Sequence, residues 1–266
     1  MGGIEEANME NPISFRDYAI VSCGTLVPEL SDLKAQGFLD ARKVLYTKPG
    51  RHEIPRELES QLIERIHIAQ KHSEKIIVVY GGTFCYVNVR DPCRTIDTVI
   101  QEQGQGISRI DASHCIDMLA SAEEREAISE GQHVCWLTPG WIKYSKFVYQ
   151  DWDQGKANEN FPRHDGGAVV LDGIGYFDEL TERDPERLLA LSDWMGIPID
   201  AHRISLDRLK ALLSDCVISD LEAEVADLES RLPAHSVKPT MIAQVEELED
   251  RLERARAARG KLGRPV

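Results

Sequence analysis

Short apolar runs that stop abruptly in glycine or cysteine recur along this chain, separated by stretches with helical spacing. Ile76-Ile77-Val78-Val79-Tyr80 marks the pattern most clearly: it is β-branched, ends in Gly81-Gly82 and delivers Cys85 shortly after. Such a run bounded by glycine reads as a buried parallel strand. Tyr18-Ala19-Ile20-Val21-Ser22 behaves alike and ends in Cys23-Gly24. Further strands are predicted at Lys43 to Tyr46, Ile107 to Ile110, His133 to Leu137, Ala168 to Leu171 and near Ile197 to Ala201. Between them Leu58, Leu62, Ile66 and Ala69 fall on one face of a helix from about Arg56 to His72. Other helices are predicted toward Gln36, from Asp91 to Gln103, from Ile116 to Ser129 and from Asp184 to Met195. Strand, helix, strand is the parallel crossover unit. The pattern predicts an α/β fold, a largely parallel Rossmann-like sheet flanked by helices, over residues 15–214.

Three stretches depart from that rhythm. Residues 1–14 have no periodicity and predict a loose start. Residues 150–167 are rich in Asp, Asn and Gly and predict a long polar loop, the kind that serves as a lid or binding loop. After Leu213 glycine vanishes until near the C-terminus and two apolar stripes appear: Leu221, Val225, Leu228, Leu232, then Ile242, Val245, Leu248, Leu252. Residues 215–266 therefore read as a helical hairpin or arm. About two heptads per helix suit either packing on a partner or second subunit or folding back on the chain's own domain.

Composition narrows the function classes. With 266 residues, 42% of them hydrophobic, the chain can bury a core without disulfides. Its six cysteines form no CxxC pair, and the N-terminus has no charged-then-apolar leader pattern, so a reduced cytoplasm is the expected compartment. No run reaches the roughly 18 apolar residues of a membrane helix. A formal charge of −14 argues against nucleic acid, whose affinity for proteins comes largely from Lys and Arg.

The candidate chemistry sits at strand ends. Cys23, Cys85 and Cys115 each follow a predicted strand closely, and in a parallel sheet those ends share one edge, where α/β folds place ligands. Three thiolates with imidazole suit zinc or an iron–sulfur cluster and leave a coordination position for a substrate. His114 is the adjacent nitrogen candidate, and His52 and Cys93 are further candidates to join. The plainer alternative is that free cysteine acts as a small buried hydrophobe. Cys135, inside an apolar strand, reads as core.

Gly24, Gly81 and Gly82 stand where a backbone could approach a cofactor closely, but no dinucleotide or P-loop pattern is completed, and tight strand-to-helix turns explain them as well. There is no G-x-S-x-G and no H-E-x-x-H. Trp141, Tyr144, Phe147, Tyr149 and Trp152 concentrate aromatic rings past one strand end. Most read as a hydrophobic cap, with Trp141 as a cofactor- or ligand-contacting residue because it stands at a strand end.

The strand-one Cys-Gly exit, the Tyr80-Gly81-Gly82 turn, the segment Asp111-Ala112-Ser113-His114-Cys115-Ile116-Asp117-Met118-Leu119 and Leu137-Thr138-Pro139-Gly140-Trp141 together resemble an uncharacterised family of bacterial and archaeal proteins, the domain of unknown function 1638. The resemblance runs from about Tyr18 to Ser214. In that family a Tyr-Gly-x-Cys-Gly turn is expected after the middle strand, whereas here the cysteine comes later, at Cys85. The resemblance implies a neighbourhood with corrinoid-dependent methyl metabolism and names no reaction. The leading expectation is an α/β protein holding a metal ion or cluster through Cys23, Cys85, Cys115 and His114, with a small substrate in one-carbon or methyl transfer. The competing expectations are a non-catalytic cofactor-handling protein that recruits a partner protein through its C-terminal helices, and a metal-free binding module. In each case a homo-oligomer is expected.

Overall fold

The computed structural model describes residues 13–51, 54–82, 84–86, 88, 91–233 and 238–262. Apart from Ile13 and Ser14 the expected loose start lies outside the described residues, as does His52. Seven strands and eleven α-helices alternate through these residues. The first sheet is built from β1 (Tyr18–Ser22), β2 (Lys43–Tyr46), β3 (Lys75–Val79) and β4 (Ile107–Arg109), in the order β2-β1-β3-β4 and parallel throughout. α1 (Val27–Ala35) carries the chain from β1 to β2 and packs Leu30 and Leu33 on the face that holds Tyr18, Ile20, Ile77 and Val79. α2 (Pro55–Ala69) and α3 (Ile96–Gln101) pack on the opposite face, against Ala19, Val21, Ile76 and Val78. Both faces of β1 and β3 are covered, which is why apolar residues follow one another at 18–21 and 76–79 instead of alternating with polar ones.

The crossover helices change faces between β1 and β3. The chain leaves β1 toward β2 on one side, and β3 lies on the other side. Such a reversal opens a crevice between the loops that leave the carboxyl ends of the two strands. The residues past those ends are Cys23 and Tyr80, with Ser22 and Val79 paired in register just before them.

The expected single sheet is two. β5 (Cys135–Leu137), β6 (Ala168–Asp172) and β7 (Ile199–Arg203) form a separate parallel sheet in the order β5-β6-β7. Its core gathers Leu137, Ile142, Val170, Met195 and Ile199 with the rings of Tyr149, Trp152, Phe161 and Trp194. α4 (Ala122–Ser129) starts later than its apolar pattern suggests, because Ser121 and Glu124 form a capping box and residues before it turn without helix. α5 (Pro139–Lys143) and α6 (Ser145–Val148) follow β5.

The predicted polar loop at 150–167 is a correction. It holds α7 (Gln154–Asn160) and a 3-10 turn (Phe161–Arg163), begun by the Asp153 carboxylate accepting from the Lys156 amide at 2.8 Å. Ala157 and Phe161 are buried in the second core. Its polar residues are the outer face of a short amphipathic helix too brief to register as periodicity. α8 (Tyr176–Arg183) and α9 (Pro185–Met195) then lead to β7.

α10 (Asp207–Ser230) and α11 (Pro239–Arg259) form the expected hairpin. α10 begins inside the α/β core: Leu209, Leu213, Cys216, Val217 and Leu221 are buried in the cluster that contains Tyr18 and Ile20. α11 returns along it, burying Leu252 and Ala255 there, with Arg259 on Asp215 at 2.7 Å and Arg256 on Glu222 at 2.7 Å. Among the described residues no helix is long and apolar enough to cross a membrane.

Candidate functional site: a thiol pocket at the strand crevice

The crevice beyond β1 and β3 is a pocket of about 450 Å³. Cys23, Cys85, His114 and Cys115 line it together with Trp141. The loops after β1, β3 and β4 bring the thiols and the imidazole, and α5 at the end of β5 brings Trp141, so the pocket spans the two sheets. Cys93 and Cys135 are not among its lining residues. Cys135 packs instead against the second core, as its sequence context predicts.

Close packing makes this convergence possible. A Cβ on Gly81 would overlap the backbone of Ser113 and His114, and one on Gly24 would overlap the Thr47 carbonyl. A Cβ on Gly140 would overlap the Thr25 carbonyl, so α5 rests directly on the backbone after Cys23. Gly82 has Arg109 against it, with Nη2 at 3.1 Å from the Cβ position. The space at Gly24, Gly81 and Gly82 is thus taken by protein. Gly24 and Gly81 let loops pack on one another, Gly82 lines a neighbouring pocket with Arg109, and Trp141 faces the thiol pocket.

The thiols form an electrostatically linked set. Burial pushes all three above the ordinary thiol range, Cys85 to about 12. Charge on Cys23 raises Cys85 further, and charge on Cys85 and Cys23 raises Cys115, so ionising one thiol opposes ionising the next. Each keeps part of its surface open, as befits a pocket wall. The Cys23 sulfur lies 3.1 Å from the Thr25 hydroxyl, and the Trp141 indole N–H meets the Cys115 sulfur. Tyr80 closes the floor, its hydroxyl bonded to Thr47 and reaching the Cys23 thiol. Among the described residues no three His, Cys, Asp or Glu side chains stand in a ready arrangement for a metal ion.

His114 has a defined tautomer. Its Nδ1 accepts the Asp117 backbone N–H at 3.0 Å, which places the proton of the neutral ring on Nε2. Burial, then the nearby Arg125 guanidinium, lower its pKa, so the neutral form is favoured. As a metal ligand through Nε2 this ring would first have to surrender that proton or its bond to Asp117.

Sequence reasoning missed Arg51, Arg125, Phe84 and Trp136, which also line the pocket. Arg51 belongs to the polar loop after β2 and Arg125 to an exposed-looking helix; neither carries a local signal of convergence. It also missed Glu29, which is fully buried in the first turn of α1. Neither carboxyl oxygen of Glu29 finds a hydrogen-bond partner among the described residues, and burial pushes its pKa up to about 8. Its charge is felt at Cys23 and Cys115.

No curated protein and no solved structure matches the chain. A family model described as protein of unknown function (DUF1638) matches residues 46–213, a span that holds Cys85, His114, Cys115 and Trp141 and starts after Cys23. With more than half of the chain matched, the protein belongs to the DUF1638 family.

Proposed function

We propose that the pocket holds a thiophilic metal ion, zinc or the iron of a cluster, through Cys23, Cys85 and Cys115, and handles a small substrate beside it. The observation that carries this reading is the convergence of three thiols on one pocket, where charge on Cys23 raises Cys85 and charge on both raises Cys115. Thiols that oppose one another's ionisation form a set that a bound cation relieves, since coordination deprotonates a thiol outright. Such a group would supply soft Lewis-acid or electron-transfer chemistry when bound. The donor set fits it in kind, and loading requires the three loops to close on the ion.

The chain's own residues contribute the rest. Tyr80 and Thr25 hold the Cys23 sulfur, and Trp141 holds that of Cys115. Phe84, Trp136 and Trp141 line the pocket with aromatic surface. About 450 Å³ lies in the lower part of the range for small-molecule sites. It accommodates an ion and a small ligand, while a corrin ring would have to approach from outside. The corrinoid neighbourhood implied by family resemblance therefore enters this reading only as a context of one-carbon or methyl transfer.

The test is metal analysis and an absorption spectrum of anaerobically purified protein. Bound zinc or iron is expected, with Cys23→Ala, Cys85→Ala and Cys115→Ala each lowering the content and Cys135→Ala leaving it unchanged. A colourless, metal-free preparation that takes up neither metal on reconstitution sinks the proposal in favour of a metal-free binding module.

A further inference from the structure

Among the described residues that line the pocket the charged side chains are Arg51 and Arg125, with no aspartate or glutamate. In a chain of net charge −14 that is a reversal of sign at one place. We infer that the pocket is an anion site, taking a small organic carboxylate or phosphate ester whose charged end lies against Arg51 and Arg125 and whose body lies against Trp136 and Trp141. The inference rests on this pocket being the working site and does not depend on its thiols carrying metal.

Three observations lead there. The Arg51 side chain is only 13% exposed, and its Nε has no hydrogen-bond partner among the described residues. Its ion pair runs through Nη1 to a half-exposed Glu57 at 3.4 Å, which leaves the inner edge of the guanidinium unsatisfied. A buried N–H of a cation without an acceptor is costly, and an anion's oxygen removes that cost.

Arg125 is the second cation of the pocket wall. It donates to the Ala120 carbonyl at 2.6 Å and stands 3.6 Å from Asp117. Asp117 in turn accepts from the Ser113 amide and hydroxyl, each at 3.0 Å, and from Arg208 at 3.3 Å. Asp117 is thus shared between Arg125 and Arg208, and the exposed Glu123 also faces both guanidinium groups.

His114 supplies the third observation. Because its Nδ1 is occupied by the Asp117 amide, what it has left to offer is an Nε2–H donor. Two guanidinium groups and an imidazole N–H line one wall system. Flat apolar surface comes from the indoles. A small anion with a planar or apolar body matches this surface in both charge and shape.

The experiment uses the full chain, as purified and after chelation, titrated with benzoate, phenyl phosphate and inorganic phosphate, with benzamide as the neutral control. Binding is read by calorimetry and by tryptophan fluorescence, since Trp136 and Trp141 line the site. At least one anion is expected to bind saturably at millimolar concentration or below, in the chelated protein too, and benzamide much more weakly. Benzoate against phenyl phosphate decides between carboxylate and phosphate. Arg51→Gln should weaken binding on the order of ten- to hundredfold, with Arg51→Lys retaining part of it. Arg125→Gln should act likewise, and Arg51→Gln serves as the cleaner variant because Arg125 also holds the Ala120 carbonyl. The inference is overturned if no anion binds at millimolar concentration, if benzamide binds as well as benzoate, or if folded Arg51→Gln, checked by thermal melting, binds as wild type does. Anion binding without metal would leave the inference standing and remove the metal reading; metal uptake without anion binding would do the reverse.

Discussion

The carboxyl ends of the two sheets make the same kind of place and are used in opposite ways. Beyond β6 the buried Asp172 carboxylate accepts from the backbone amides of Ile174, Tyr176 and Phe177 at 3.0, 3.2 and 2.7 Å, so the strand end caps the helix that follows it. Every oxygen there is spoken for. Beyond β1, β3 and β4 the groups are thiols, a guanidinium N–H without a partner among the described residues and an imidazole donor around about 450 Å³ of open pocket. The difference teaches that strand-end position is permissive and that unsatisfied polar chemistry marks the site. Beside the second sheet the aromatic residues cluster on one another, with Tyr149 within 5.0 to 5.9 Å of the rings of Trp141, Trp152, Phe161 and Trp194. It supplies a rigid wall, and the first sheet supplies the chemistry.

The contrast is broken most severely where the two halves touch. Gly140→Ala puts a methyl group into the Thr25 carbonyl, forcing α5 away from the turn after Cys23. A loss of about 3 kcal/mol or more in denaturant unfolding is expected, with separation of Trp141 from the pocket. Wild-type stability would mean that the sheets are not held at this contact.

Next is the capped strand end itself. Asp172→Ala strands three amides and should cost about 2–4 kcal/mol, whereas Cys23→Ala at the open end should cost about 1 kcal/mol or less while removing ligand binding. Equal losses in chemical denaturation would erase the distinction between a structural and a functional strand end.

Glu29 sharpens the comparison through pH. Its folded pKa of about 8 exceeds the ordinary carboxyl value of 4.5, so the folded state holds a proton that the unfolded state releases. Stability from this group is therefore full below pH 4.5 and declines as pH rises through about 8. Glu29→Gln should flatten that decline and raise stability at pH 8.5 by a few kcal/mol at most. An unchanged pH profile would show that the carboxyl is not held neutral.

The smallest effect is on thiol reactivity. Burial suppresses thiolate at Cys85, Cys115 and Cys23, and Cys93 is exposed. Iodoacetamide at neutral pH should label Cys93 first, followed by peptide mapping, with the pocket thiols slow until pH rises or the fold opens. Faster labelling of Cys85 than of Cys93 would reverse the electrostatic account.

Much of the fold was legible because its strands are covered on both faces. Continuous apolar runs such as Ile76 to Tyr80 carry their own boundaries in the glycines that follow. The hairpin was legible from its stripes. Short helices were not: α7 has barely two turns, and α8 reads as polar because Leu180 is its buried residue. For the site, Cys23, Cys85, Cys115, His114 and Trp141 were named from strand-end position and do line one pocket. Gly24 and Gly81 were named for ligand approach, and each has the backbone of another loop against it. Arg51, Arg125 and Glu29 had no local pattern to betray them.

What the amino-acid sequence determined by itself was periodicity: which runs are strands, which faces are apolar, and therefore which residues stand at carboxyl ends. These are properties of neighbours in the chain, set by backbone geometry and burial. Only the tertiary structure decided that there are two sheets, that the helices change faces between β1 and β3, and that two arginines enter a pocket with no carboxylate among its described lining residues. Charge balance within a cavity depends on side chains far apart in sequence meeting in space, and no local pattern encodes it. The cysteines at the strand ends could be read from the chain; the cations beside them, and the anion they point to, could be read only from the fold.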